Sequence, residues 1–218
     1  MSKDKPKMIW YHIARNFCKV FCQLLFRIRY YGLENIPADK AVLFISNHQS
    51  YLDPLFCAAY LKRHFYFLAR HTLFTNRSFG WLLSSINVMP VRRGEADLAT
   101  MRNIIEKLKD GNSVCLFPEA TRTDDGRIRE FKPGFGLLSR RGQAPIIPVL
   151  IDGSYECWPR HKKLFSPRAK ITVIYGERIA LKEIKKTSDK ELAKNLTEKL
   201  RQMQRLCRLK EGKEPYNY

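Results

Sequence analysis

An α/β sandwich is the fold this sequence predicts: a mixed, largely parallel central sheet flanked by helices, with an N-terminal amphipathic helical segment appended. Two patterns and the chain length lead there. Six short apolar runs, at 41–46, 65–69, 86–91, 113–117, 146–151 and 170–175, have the length and continuity of strands buried on both faces. Between them, 54–62, 78–85, 97–109 and 134–141 read as helices, and strands alternating with helices build parallel pairs through crossovers. At 218 residues the chain fits one such domain plus an appendage, with enough length to bury a substantial core.

In chain order, residues 8–31 come first. They are apolar and aromatic, yet interrupted by Arg15, Lys19, Arg27 and Arg29. At ~100° per residue, His12, Arg15, Lys19, Gln23 and Arg29 share one side of a helix, while Trp10, Ile13, Phe17, Val20, Phe21, Leu24, Leu25 and Ile28 fill the other. Such a helix packs on its own domain or lies in a bilayer interface. The aromatic residues, the basic polar side and the lysines at positions 3, 5 and 7 favour the interface. A spanning helix is disfavoured because no run of ~18 uncharged apolar residues occurs, and a signal peptide because no small-residue cleavage site follows. Residues 1–31 are therefore expected to form a membrane-associating segment, and 32–218 the α/β domain.

Beyond the linker Gly32–Pro37 comes the first buried run, Ala41–Ile45, and then Asp53-Pro54, a helix start with Asp as N-cap and Pro at the first helical position. The helix over 97–109 begins near Asp97 and stops before Gly111. Ser188 and Glu191 form a capping box. It opens a last helix carrying Leu192, Leu196, Leu200, Met203 and Cys207 at helical spacing among Lys and Arg, which suits a surface helix packed on the domain.

The charge balance is the outlying feature of the composition: 40 Lys+Arg against 21 Asp+Glu, a net +19. That excess attracts polyanions, whether nucleic acid, an anionic membrane or a phosphorylated substrate. Nucleic acid is disfavoured, since no helix-turn-helix, zinc-finger or RNP-like pattern occurs. Six cysteines (18, 22, 57, 115, 157 and 207) contain no CxxC pair and sit mostly in apolar runs, as expected of reduced, buried or membrane-facing thiols in a cytosolic compartment. No Cys/His cluster has zinc-ligand spacing, so a metal site is not expected.

The chemistry concentrates at strand ends. Asn47-His48-Gln49-Ser50-Tyr51-Leu52-Asp53 directly follows the first buried run. A strand end fixes a side chain while the following loop leaves it reachable. Imidazole moves protons near neutral pH, and a nearby carboxylate holds one tautomer and stabilises its cation. Three more strand ends bring arginine: Arg70 after 65–69, Arg92 and Arg93 after 86–91, and Arg122 in Phe117-Pro118-Glu119-Ala120-Thr121-Arg122-Thr123. Guanidinium grips phosphate bidentately, so a histidine among three such sites suits an anionic substrate.

In these blocks the sequence resembles the glycerolipid acyltransferases typified by 1-acylglycerol-3-phosphate (lysophosphatidic acid) acyltransferase. Asn47-His48…Asp53, Val91-Arg92-Arg93, Phe117–Thr123 and Ile147-Pro148-Val149 fall in the family's order, over roughly residues 30–180, with Glu130-Phe131-Lys132-Pro133-Gly134 as a further similar tract. Two departures stand out: Ala120 where the family has Gly, and Thr123 where it has Ser. Because Ala resists a strongly positive φ, the turn at Ala120 is expected to be slightly reshaped. The resemblance implies His48 as general base on an acceptor hydroxyl, with Asp53 orienting it, and direct transfer from an acyl-CoA or acyl carrier protein thioester. It implies Arg122 as the main phosphate ligand, assisted by Arg70 and Arg93, with Glu119 and Thr121 in the substrate site. Glu119 is expected to orient Arg122 or a substrate hydroxyl, and Pro148 to shape the floor. It further implies no metal or bound cofactor, a lysophosphatidate-type acceptor, and a peripheral or monotopic place on the cytoplasmic face of an anionic membrane. Another lyso-lipid, such as lyso-ornithine lipid or a lysophospholipid, is the alternative acceptor.

Overall fold

In a computed structural model, residues 5–61, 63–91 and 98–218 are described. Helix α1 (Lys5–Leu25) leads into strand β1 (Arg27–Tyr31), followed by β2 (Leu43–Ser46), α2 (Asp53–Ala58), β3 (Phe65–Arg70) and α3 (Arg77–Ser85). Then come β4 (Val88–Val91), α4 (Leu98–Lys109), β5 (Ser113–Leu116), α5 (Phe135–Gly142) and β6 (Ile146–Asp152). The chain closes with α6 (Ser154–Cys157), β7 (Lys170–Tyr175), α7 (Leu181–Lys186) and α8 (Asp189–Lys210). The strands make one seven-stranded sheet in the order β1-β7-β6-β2-β5-β3-β4, parallel throughout except between β6 and β7. The expected mixed, largely parallel sandwich is thus observed, with all six expected strands present.

Alternation along the buried strands divides the interior in two. Val42 and Phe44 point into a core with Phe26, Phe56, Phe65 and Tyr175 beneath α1 and α2, while Leu43 and Ile45 point into a second core with Leu138, Ile184 and Leu196 beneath α4, α5, α7 and α8. Every residue of β6 is buried, which explains why its sequence carries no polar alternation until Asp152. Ser188 caps α8 as its sequence predicts, its side chain accepting from the Glu191 N–H at 3.2 Å.

The N-terminal helical pattern holds only as far as Leu25. Arg27-Ile28-Arg29-Tyr30-Tyr31 instead adds an edge strand parallel to β7, so residues 27–31 belong to the sheet and not to the appended segment. Pairing with β7 sets a period-two pattern: Ile28 and Tyr30 pack on the core beneath α1, and Arg27 and Arg29 face outward. Within α1, Phe21 and Leu25 pack on the core, and residues expected on the polar side also contact the protein. Arg15 Nη1 donates to the Leu61 carbonyl at 3.2 Å, the Lys19 ammonium lies 4.6 Å from the Tyr60 ring centroid, and Gln23 bonds the Tyr60 hydroxyl. Tyr11 and Cys22 are buried, but Ile9, Ile13, Val20, Phe17 (70% exposed) and Leu24 (78% exposed) face outward. Trp10 joins this surface to α3, donating to Ser85 Oγ at 2.9 Å with its ring 6.4 Å from that of Trp81. Among the described residues no helix is long and apolar enough to cross a membrane.

Candidate active site

β2 ends at Ser46, and the chain then makes a tight loop into α2. Asn47 anchors the start of that loop. Its side-chain amide donates to the Ile151 carbonyl and its oxygen accepts from the Ile151 N–H, both at 2.8 Å, so the side chain acts as one more rung between β2 and β6. From this fixed point His48 presents its ring, with Nδ1 2.8 Å from Asp53 Oδ2. The same oxygen accepts the backbone N–H groups of Gln49 (2.6 Å) and Ser50 (2.7 Å). Asp53 is wholly buried (0% exposed). Its role as helix N-cap is not what forms: Leu52 holds that position, with no side-chain cap bond, and Asp53 reaches backward to the loop instead. The physical reason is burial. A carboxylate without solvent takes the donors nearest to it, and here those are the imidazole and the two loop amides.

A carboxylate on Nδ1 keeps the proton there, leaving Nε2 of the neutral ring as an acceptor and steadying the cation once Nε2 is protonated. The ring is also pinned from one face by Phe117, stacked at 4.3 Å between centroids and 24° between planes. Phe117 is a site residue the motif reading did not single out. Its signal was its place at the end of β5, the strand paired beside β2.

Glu119 holds the other side of the loop. Its Oε1 accepts the His48 backbone N–H at 2.7 Å, and its Oε2 accepts the Arg129 N–H at 3.1 Å. Burial pushes its carboxyl from an ordinary 4.5 up to about 8, against the pull of those two N–H donors. Of the two expected partners, Arg122 or a substrate hydroxyl, Arg122 is not bonded to Glu119 among the described residues; Glu119 ties the His48 backbone to the Arg129 segment. Thr123 adds a further tie, its N–H donating to the His48 carbonyl at 2.9 Å. Ala120 stands at φ 60°, in the left-handed region. The turn is not reshaped to suit Ala; the side chain instead bears the conformation a glycine would adopt freely.

A cavity of about 580 Å³ opens beside this assembly. His48, Glu119 and Thr121 line it, and most of its remaining wall is apolar, including Leu68, Val91, Met101, Phe117, Phe135 and Leu138. Arg122 lies next to Thr121 with its guanidinium carbon 3.4 Å from the centroid of the exposed Tyr51 ring. Its Nη1 is buried and has no hydrogen-bond partner among the described residues. Arg70 is exposed at the end of β3, on the same edge of the sheet but outside the cavity wall. Arg92 and Arg93 lie outside the described residues. Pro148 pairs with Ile45 of β2, yet its ring packs toward Gly176 and it does not line the cavity. Cys115 lines the cavity but is fully buried, its sulfur 3.9 Å from that of Cys57, and burial holds its thiol well above the usual range, as suits a structural thiol.

Comparison with known proteins bears on this geometry directly. The chloroplast 1-acyl-sn-glycerol-3-phosphate acyltransferase LPAT1 of Arabidopsis thaliana is 31% identical over 150 residues, 67% of this chain and 42% of that protein. The 1-acyl-sn-glycerol-3-phosphate acyltransferase of Bacillus subtilis is 28% identical over 193 residues, 88% of this chain and 94% of that one. The chain thus spans less than half of the plant relative and nearly all of the bacterial one. The crystal structure of the 1-acyl-sn-glycerophosphate acyltransferase PlsC from Thermotoga maritima superposes with a TM-score of 0.77 and 27% identity, covering 93% of this chain and 82% of the other. A family model described as Acyltransferase matches residues 27–152, from β1 through β6 and so across the whole His48–Asp53–Glu119 assembly. With more than half of its length matched, the chain belongs to the acyltransferase family.

Proposed function

We propose that the protein transfers a fatty acyl group from an acyl thioester to the free hydroxyl of 1-acylglycerol-3-phosphate, producing phosphatidic acid at a membrane surface. The observation that carries this reading is the His48–Asp53 pair, 2.8 Å apart beside a largely apolar cavity. His48 Nε2 takes the proton of the acceptor hydroxyl as its oxygen attacks the thioester carbonyl, and Asp53 stabilises the imidazolium that results. The tetrahedral intermediate collapses, the C–S bond breaks, and the thiolate leaves with the proton that His48 gives back. Transfer is direct, with no acyl-enzyme. The cavity is within the size range of small-ligand sites, and its apolar wall suits a hydrocarbon chain.

Arg122 is the residue proposed to hold the acceptor phosphate. A buried guanidinium nitrogen without a partner is costly, and a phosphate oxygen satisfies it with a charge-assisted bond. Arg70 and Arg93 are proposed as assisting cations, and Thr121 as a hydrogen-bonding wall residue. Lysophosphatidate as acceptor follows the names of the relatives. The outward apolar stripe of α1 is proposed to lie in the bilayer interface, which brings the enzyme to lipids held there.

The test is turnover by the purified chain on vesicles carrying lysophosphatidate, with acyl-CoA and acyl carrier protein donors in parallel. Phosphatidate is the expected product. Arg122→Ala is expected to raise KM for lysophosphatidate at least tenfold while leaving a phosphate-free acceptor, such as a lyso-ornithine lipid, unaffected. An equal effect on both acceptors would remove Arg122 from the phosphate role, and efficient use of the phosphate-free acceptor alone would replace the substrate.

A further inference from the structure

A second concavity, of about 440 Å³, lies between the starts of β1 and β7 and the end of α8. Five cations line it, Arg27, Arg29, Lys170, Lys210 and Lys213, with Glu211 the one carboxylate among the lining residues. Glu211 is already engaged, by Lys213 at 2.7 Å and by the Thr172 hydroxyl. Lys213 also reaches the buried Asp152 at 3.6 Å. Arg27, Arg29 and Lys170 form no ion pair among the described residues. Like charges gathered in a concavity repel one another, and a multiply charged anion relieves that repulsion.

Its position narrows the ligand. β7 runs antiparallel to β6, with Thr172 opposite Asp152, so the start of β7 lies at the sheet edge where β6 and β2 end and where His48 stands. β7 and β1 are two and three strands from β2, about 10–15 Å at the usual spacing. Lys210 and Lys213 follow the core beneath α8, the same side of the sheet as Phe135 and Leu138 of the apolar cavity and the opposite side from α1. Sharing a sheet edge and side with the apolar cavity, the concavity can be reached by the far end of a ligand bound at His48. Its concave shape suits a small phosphate ester better than the convex surface of a carrier protein.

We infer that this concavity binds the phosphorylated adenosine end of a coenzyme A thioester while the acyl carbonyl of the same molecule lies at His48. The inference rests on the acyl-transfer reading above and names its donor. The pantetheine arm joins the two ends; an extended linker of four to five residue lengths covers about 15 Å, the separation that the strand count requires.

Calorimetry with adenosine 3′,5′-bisphosphate on the full chain tests the site without any turnover. Saturable binding is expected, weakened by added salt and reduced at least tenfold in the double variant Arg29→Gln/Lys170→Gln. Both positions are exposed, so the variant's thermal midpoint should match the parent's and separate a lost site from a lost fold. In kinetics, KM for acyl-CoA should rise at least tenfold at unchanged kcat, while KM for an acyl-pantetheine thioester, which lacks the nucleotide, stays the same. Absent bisphosphate binding, wild-type affinity in the variant, or equal KM changes for both donors would overturn the inference. So would a variant that loses only anionic vesicles or only acyl carrier protein, which would reassign the concavity to a headgroup or to a carrier. Bisphosphate binding without acyl transfer would count against the acyl-transfer reading and not against the site.

Discussion

Single residues at the His48 loop carry opposing demands, and two of them give separable predictions. Ala120 adopts φ 60°, where a side chain costs roughly 1–2 kcal/mol relative to the right-handed region. Ala120→Gly should therefore raise the unfolding free energy by about 1 kcal/mol in urea titration, the gain being trimmed by the added freedom of glycine in the unfolded chain. Glu119 gives a pH dependence. Its folded pKa of about 8 lies above the ordinary 4.5, so between those values the folded state binds more proton than the unfolded one. Its contribution to stability is thus fully present below about 4.5 and is lost as the pH rises through about 8. Glu119→Gln should flatten that fall, measured as the difference between variant and parent in urea midpoints across the range. It should also cost stability at low pH, because an amide NH2 replaces one acceptor of the His48 and Arg129 N–H groups. The pairing of His48 with Asp53 was legible in the sequence because strand-end placement and residue chemistry both mark it. The sequence could not reveal that Asp53 collects two loop amides instead of capping α2, nor that Glu119 binds backbone instead of Arg122. Those choices depend on which donors three-dimensional packing leaves nearby.

At the scale of elements, α1 is the one whose environment contradicts the usual behaviour of an amphipathic helix on its own domain. Its Arg15, Lys19 and Gln23 turn inward to α2 and its end, while Phe17 and Leu24 stand in solvent. A full burial of such a side chain is worth about 1.5–3 kcal/mol, so each of Phe17→Ser and Leu24→Ser should weaken partition onto anionic vesicles about tenfold or more. Sedimentation with liposomes measures this; unchanged partition would move the contact to another surface, such as the basic α8. Periodicity gave the helix as far as Leu25 but divided its sides only in part, since Phe21 and Leu25 of the expected apolar side pack on the core while Ile13, Phe17, Val20 and Leu24 face outward. Periodicity also hid β1. Its five residues continue an acceptable helical spacing, and only pairing with β7 selects the strand. Strands β2 to β7 were legible because continuous apolar runs of that length leave little alternative, whereas the short helices α6 and α7 lack any comparable run.

Across the whole molecule, the sheet brings three surfaces to one edge: the His48 cavity, the basic concavity between β1, β7 and α8, and the end of α1, which leads directly into β1. The excess of +19 fits this arrangement, because lipid acceptor, thioester donor and membrane surface are all anionic on the proposed reading. On that reading, one proton transfer at His48 unites them. The most direct measurement is steady-state turnover of the full chain and of His48→Ala on vesicles containing lysophosphatidate, with acyl-CoA as donor and with vesicle partition and thermal midpoint recorded alongside. The account predicts that kcat falls at least about a hundredfold, the usual scale of a lost general base, while partition and midpoint stay unchanged. A variant that retains most of its turnover would contradict it.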